Sequence, residues 1–404
     1  MKDRIETTFR ALRSRNFRLF LFGQGISNVG TWMQRVALYW LVYKLTSSAF
    51  LLGLVGFASY IPLLIVSPFA GVLIDRYSKM RIVMTAQALA MLQALLLAFL
   101  VLSGRIEIWH IITLSLVLGV INAFDIPGRQ SFYVNLIDKK EDLPNAVALN
   151  SVVFHLSRFL GPSAAGIIIA ISSEGICFLI NGLSYIAVLG SLFAIKISDT
   201  PVQEKMKPFM DELKEGFKYI YSKPPLRNIL MLVAAISLFG WSYTILLPIF
   251  AKDVLEGDSV TFGFLISATA VGAILGALYA ASRKDTHGLE RRAVFFAVVF
   301  GLAVILFSLS KMLVASLLLI GVAGLGAMLH NTSANSFFQS TVDEDKRGRI
   351  MSYYAFAHQG LMPIGSLVLG WAAGSFGAPF AMVLGGIFCL FAAAFLGPRI
   401  FSSK

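Results

Sequence analysis

Arg158 stands inside an apolar run, 145 to 171, that is long enough to cross a bilayer. A guanidinium near the centre of a hydrocarbon layer costs about 3 kcal/mol even on a lenient insertion scale, so it must face a cavity, a partner or helix carbonyls. At about 100° per residue, Asn150, Ser151, Phe154 and Arg158 fall within about 100° of one another, with His155 on the flank. That face offers a cation, an amide, a hydroxyl and an aromatic ring. Such groups hold a small anion; they do not form a nucleophile and its base. A second stripe repeats the pattern: Gln24, Asn28, Thr31 and Arg35 project within about 60°, with Trp32 alongside. Arg35 lies toward the end of its run, where snorkelling to headgroups is the alternative to lining a cavity.

Further along the chain, Trp241 and Tyr243, then His330 with Asn331 and Asn335, then Tyr354 with His358 and Gln359 add aromatic and hydrogen-bonding groups to apolar segments. Together with the two stripes these residues are the expected lining of a substrate cavity. Asp125, His155, His330 and His358 are the groups available to carry a proton, because an imidazole titrates near neutrality; packing is the alternative for each histidine. No acidic residue is expected in the middle of a span, with Asp125 near one end and Glu174 near the other. Cationic cargo needs a buried counter-charge, so the positive balance favours an anionic or hydroxyl-rich substrate such as a catecholate or carboxylate siderophore. The chain has no Gly-x-x-x-x-Gly-Lys loop, and no catalytic pair or metal-ligand set at recognisable spacing. The expectation is a protein that is not an enzyme, uses no cofactor or metal, and draws on an ion gradient.

These residues need a scaffold in lipid. Of 404 residues, 57% are hydrophobic and only 14% charged, a balance that would leave a water-soluble fold with far too much apolar surface. Apolar spans read near 18 to 43, 50 to 74, 82 to 102, 109 to 127, 145 to 171, 175 to 195, 229 to 250, 260 to 281, 292 to 310, 312 to 334, 350 to 373 and 378 to 397. Twelve transmembrane helices follow, in an all-α membrane protein. Ser103-Gly104-Arg105, Gly257-Asp258 and Phe376-Gly377-Ala378-Pro379 mark tight reversals. With both termini cytoplasmic, about 28 of the 34 Lys and Arg residues fall on the cytoplasmic side and about four outside, the asymmetry of an inner-membrane protein. Spread over loops in this way, the net charge of +12 marks orientation and not a nucleic-acid face. The basic N-terminal stretch leads into a full-length span, so it reads as a first helix and not a removable signal. Cys177 and Cys389 sit in separate spans with no redox or metal spacing and read as packing residues.

The halves echo each other. Ser14-Arg-Asn16 corresponds to Leu226-Arg-Asn228, and Asp138-Lys-Lys140 to Asp343-Glu-Asp-Lys-Arg347, at offsets of roughly 200 to 212. The expected organisation is a six-helix half over 1–196, a linker over 197–228 and a second six-helix half over 229–404, with the cavity lined from both halves. In the linker, Phe209, Leu213, Phe217 and Ile220 recur at helical spacing, which predicts an amphipathic helix along the membrane surface.

Between the second and third spans lies Gly71-Val-Leu-Ile-Asp75-Arg76-Tyr-Ser-Lys79-Met-Arg81. It resembles the Gly-x-x-x-Asp-Arg-x-Gly-x-x-Arg loop motif of the major facilitator superfamily, with Ser78 where glycine is usual. Arg15-Asn-Phe-Arg-Leu19, Phe124-Asp-Ile-Pro-Gly-Arg-Gln-Ser-Phe132, Asn145-Ala-Val-Ala-Leu-Asn-Ser151, Arg158-Phe-Leu-Gly-Pro162 and Arg347-Gly-Arg-Ile-Met-Ser352 are similar to the exporter branch that holds the enterobactin siderophore exporter and macrolide efflux proteins. The resemblance covers nearly the whole chain. It implies export of a small organic molecule by alternating access with proton antiport, from a monomer whose partners are its substrate, the bilayer and the proton gradient. Macrolide or multidrug efflux and lysophospholipid transport are the alternatives it leaves open. It also implies a gating latch made of Gly71, Asp75, Arg76, Lys79 and Arg81 with Asp125 and Arg129, in which Asp125 would pair with Lys79 or Arg81. Gly276 to Arg283, the equivalent stretch in the second half, lacks the acid. Gly161-Pro162-Ser-Ala-Ala-Gly166 resembles the glycine-proline motif of antiporters, and its small residues would let the fifth helix pack closely and bend at Pro162.

Overall fold

The computed structural model describes residues 9–196, 209–283, 288–344 and 346–401, and every regular element among them is helical. We number the long helices α1 Arg15–Thr46, α2 Ala49–Arg76, α3 Lys79–Leu102, α4 Ile108–Leu136, α5 Leu143–Ile171 and α6 Glu174–Ala194. There follow α7 Phe209–Ser222, α8 Pro224–Val254, α9 Ser259–Ser282, α10 Leu289–Leu309, α11 Leu313–Thr341, α12 over 347–376 and α13 Ala378–Phe401. Each of the twelve expected spans coincides with one of these helices.

Among the described residues, ten helices are long and apolar enough to cross a membrane. Outside that group are the short linker helix α7 and, among the helices at expected spans, α1 and α12. α1 is long enough but carries Arg15, Arg18, Arg35 and Lys44 among its amides, which dilutes its apolarity. α12 is divided by a π-helical turn, Phe356–Gly360, into pieces of 9 and 15 residues. The turns fall where they were expected: Gly104 and Gly377 take φ of 70° and 90°, which a residue with a β-carbon adopts only under strain. Asp258 caps α9, accepting from Val260 N at 2.9 Å and Thr261 N at 3.2 Å.

The chain divides into two compact units, Met1–Leu45 with Ala58–Glu204, and Thr46–Phe57 with Lys205–Lys404. The second therefore takes in both α7 and the first turns of α2. Gly53 explains the latter: a β-carbon there would lie 2.6 Å from the Ser366 carbonyl and 2.9 Å from Gly370 Cα, so backbone touches backbone. The core of the first unit gathers Phe17, Phe20, Val83, Phe132, Val188 and Leu192, all fully buried. In the second, α9 and α11 cross so closely that a β-carbon on Gly324 would strike the Thr269 carbonyl, and Phe250 meets Phe307 with ring centroids 4.9 Å apart.

The linker carries a helix, α7, where an amphipathic one was expected. Ile220 is buried, but Phe217 is 60% exposed. Residues 197–208, and the side chains of Phe209 and Leu213, lie outside the described ones.

Candidate substrate site

In the first unit the two predicted polar stripes meet. Small residues bring α5 onto α1: a β-carbon on Gly161 would lie 2.6 Å from Trp32 Cβ and 2.8 Å from the Val29 carbonyl, and Ser157 Oγ lies 3.4 Å from the Gly25 carbonyl. Pro162 and Gly166 are buried in the same seam, and α5 runs through Pro162 as one helix. The crossing sets Trp32 between two guanidinium groups, Arg35 at 4.4 Å and Arg158 at 5.5 Å from the ring centroid. Each contact is worth about 0.5–2 kcal/mol according to its solvation. Phe154 closes edge-on against Trp32 at 6.0 Å and stays 42% exposed, with His155 at its other edge. Arg35 also reaches the Tyr60 ring, at 5.8 Å. Asn150 lies half-buried on the same helix, while Ser151 returns its hydroxyl to the Val147 carbonyl.

Arg35 also borders a partly open polar cavity of about 90 Å³ within this unit, lined among others by Gln24, Asn28, Tyr60, Gln87, Asp125 and Arg129. That space holds a few waters; ligand pockets for drug-sized molecules run about 300–1,000 Å³. Gln24 Oε1, Ser27 Oγ, Gln87 Oε1, Ser115 Oγ and Arg129 Nε are buried on it without a hydrogen-bond partner among the described residues. Donors and acceptors so arranged suit water or a small ion. Gln24 Nε2 donates to Asn28 Oδ1 at 2.9 Å. Behind the cavity, Asn181 donates to Gln34, Gln34 to Gln93, and Gln93 to the Leu114 carbonyl, at 2.7, 3.0 and 3.2 Å. This amide chain tying α6, α1, α3 and α4 was not anticipated. Its signal was legible all the same, as lone glutamines in the otherwise apolar α3.

Asp125 departs from expectation twice. It stands in the interior of α4, because that helix continues to Leu136, and it is 4% exposed. Its partners are Arg129, at 2.8 Å, and Gln87, which donates to it at 2.7 Å, rather than Lys79 or Arg81. The reason is helical: Asp125 and Arg129 are four residues apart and face one another across one turn. Among the described residues lining the cavity it is the only carboxylate, and Arg129 cancels it, so Arg35 leaves the cavity one positive charge in excess. In the loop motif, Gly71 has open space around it, Arg76 and Arg81 are exposed and Lys79 is half-buried. The side chain of Asp75 lies outside the described ones. Ser78, where the motif has glycine, accepts from Arg81 N at 3.3 Å and caps α3.

In the second unit the expected groups gather where two helices are irregular. α8 has a π turn at Ile236–Gly240 and α12 one at Phe356–Gly360. Ser237 Oγ donates to the His358 carbonyl at 2.7 Å and Ser242 Oγ to the Met362 carbonyl at 3.1 Å, satisfying groups that the broken ladders release. Trp241 meets the edge of His358 at 5.7 Å, and Tyr354 stacks on it at 6.1 Å. The Tyr354 hydroxyl donates to the Asn331 carbonyl at 2.9 Å and also meets Asn331 Oδ1. His330 Nδ1 lies 2.8 Å from the Ala293 carbonyl, 2% exposed, and bridges α11 to α10. Tyr243 is packed in the interior against Phe300, so it contributes to the core and lines no open surface.

Comparison with known proteins agrees with this architecture. The chain is 28% identical over 365 residues to the Staphyloferrin A transporter of Staphylococcus aureus, covering 90% of this chain and 89% of the relative. It is 24% identical to the Multidrug efflux pump Tap of Mycolicibacterium fortuitum (87% and 88% covered) and 22% identical to the Enterobactin exporter EntS of Shigella boydii (88% and 84%). The crystal structure of the POT family transporter PepTSo superposes with a TM-score of 0.76 at 13% identity, over 96% of this chain and 98% of that one, which shows a shared fold. A family described as transmembrane secretion effector matches residues 6–401. The chain belongs to that family of major facilitator transporters.

Proposed function

We propose that this transporter exports a small organic anion of the siderophore type, bearing carboxylate or catecholate groups, across a bacterial inner membrane with both termini cytoplasmic. The observation that carries this reading is Trp32 flanked by Arg35 and Arg158, with Phe154 closing the cluster. Two guanidinium groups braced on one indole present fixed, bidentate donors to carboxylate or catecholate oxygens, while the rings supply apolar contact. Likeness to the Staphyloferrin A transporter and the Enterobactin exporter EntS supports the same substrate class. Transport proceeds by alternating access in exchange for protons. Asp125 is the group that takes up the proton, on the ground that it borders the polar cavity with Arg35, and His155, His330 and His358 stand behind it. The latch residues Gly71, Asp75, Arg76, Lys79 and Arg81 act in gating.

The test is uptake into inside-out vesicles of a labelled carboxylate siderophore and a labelled catecholate siderophore, with and without an imposed pH gradient. Gradient-dependent uptake of either supports the reading, and uptake of neither overturns it. A second reading, efflux of drug-like molecules, is favoured by likeness to Tap and by the exposed Phe154 ring; a labelled hydrophobic drug in the same vesicles distinguishes it.

A further inference from the structure

Where α7 meets the start of α12, and on the exposed flank of α7, stands a set of side chains that transport does not use. The meeting face is fixed. A β-carbon on Gly216 would lie 2.8 Å from the Tyr353 ring, Ile220 is buried, and Glu215 pairs with Arg349. The Tyr219 hydroxyl donates to Asp343 at 2.9 Å and accepts from Lys223 at 2.6 Å. So anchored, α7 presents Phe217 and Tyr221, 60% and 61% exposed, stacked with centroids 5.9 Å apart, and Arg227 lies over Tyr221 at 5.1 Å. The same helix borders a hollow of about 290 Å³ lined by Lys218, Tyr219, Ser222, Lys346, Arg349 and Glu215, in which Arg349 pairs with Glu215, Lys346 lies 3.7 Å from Asp343, and Lys218 adds a further cation.

We infer that this hollow binds the phosphate of an anionic phospholipid headgroup, with Phe217 and Tyr221 seated at the acyl boundary. Only Lys223 separates α7 from the membrane-spanning α8, so lipid headgroups lie within reach of these side chains. Lysines beside exposed aromatic rings are the composition of an interfacial helix that selects anionic lipid. Lys218 supplies an ammonium to phosphate oxygens, and Lys346, which also pairs with Asp343, lines the same hollow. Because α7 is tied to α12, a bound lipid holds the second unit at the membrane surface. The inference stands independently of the substrate.

Thermal unfolding of the purified full chain in neutral detergent tests it, with dioctanoyl-phosphatidylglycerol, dioctanoyl-phosphatidylcholine or inorganic phosphate added. Phosphatidylglycerol should raise the midpoint by about 3 °C, phosphatidylcholine and inorganic phosphate by less than 1 °C. The double variant Lys218→Gln/Lys346→Gln should lose the shift, and Arg291→Gln, another exposed basic site, should keep it. An equal shift with phosphatidylcholine, an equal shift with inorganic phosphate, or an undiminished shift in the double variant would each overturn the assignment.

Discussion

Asp125 and Arg129 form a 2.8 Å ion pair across one turn of α4, and Gln87 of α3 holds the other carboxylate oxygen at 2.7 Å. With Arg129 set opposite Asp125, the excess charge on the cavity lining is that of Arg35.

Asp125→Asn leaves Arg129 without its counter-charge in a buried setting, for which loss of about 3 kcal/mol is expected. The unfolding midpoint in detergent should fall, and adding Arg129→Leu should restore much of it. If Asp125 carries the proton, neither variant transports against its gradient, even where the double variant is stable.

The amide chain from Asn181 through Gln34 to Gln93 makes a second prediction. Gln34→Leu strands the Asn181 donor and the Gln93 acceptor in the interior, at about 1–3 kcal/mol. Gln34→Glu, which keeps the acceptor for Asn181, should lower the midpoint differently from Gln34→Leu, and a pair of equal, negligible effects would contradict the chain as a structural tie.

Docking of α7 should be insensitive to pH near neutrality. The hydrogen bond from Tyr219, then Lys223 and Lys346, hold the Asp343 carboxyl below its ordinary 3.8. That contribution is full above 3.8 and is lost only as pH falls through the lowered value. The Lys223 ammonium is raised above 10.5, first by its hydrogen bond to Tyr219, so its contribution is full below 10.5 and is lost as pH rises through the raised value. Protease cleavage within 209–222 should therefore proceed equally at pH 5, 7 and 9.

Twelve crossings require α1 and α12 to span despite their polarity. Cysteines replacing Arg13 and Ser47 should label from opposite sides of the membrane, as should cysteines replacing Gly348 and Ser375. Cys177 and Cys389 are buried and give little background. Labelling of either pair from one side would reduce the count.

Regular periodicity was readable wherever lipid or core dictated it. Helices at all twelve apolar runs, ten of them long and apolar enough to cross a membrane among the described residues, the reversals at Gly104 and Gly377, and the convergence of Trp32, Arg35 and Arg158 follow from apolar length, backbone freedom and helical phase. What could not be read depends on partners distant in the chain. α4 runs past the apolar span that ends near 127 and on to Leu136, and Asp125 and Arg129 pair with one another across one turn. The break in α12 is sustained by Ser237 and Ser242 on α8, more than a hundred residues earlier. Gly216, whose missing side chain admits the Tyr353 ring, sets which side of α7 meets α12.

The most direct test of anion recognition compares Arg158→Gln and Arg35→Gln with the unaltered chain in inside-out vesicles, measuring KM and maximal rate for a carboxylate siderophore and for an uncharged ester of it. Loss of a charge-assisted contact of about 1.5–3 kcal/mol should raise KM for the anion by roughly 10- to 100-fold in each variant and leave the ester nearly unchanged. Equal KM values for the anion in variants and parent would contradict the assignment of this site.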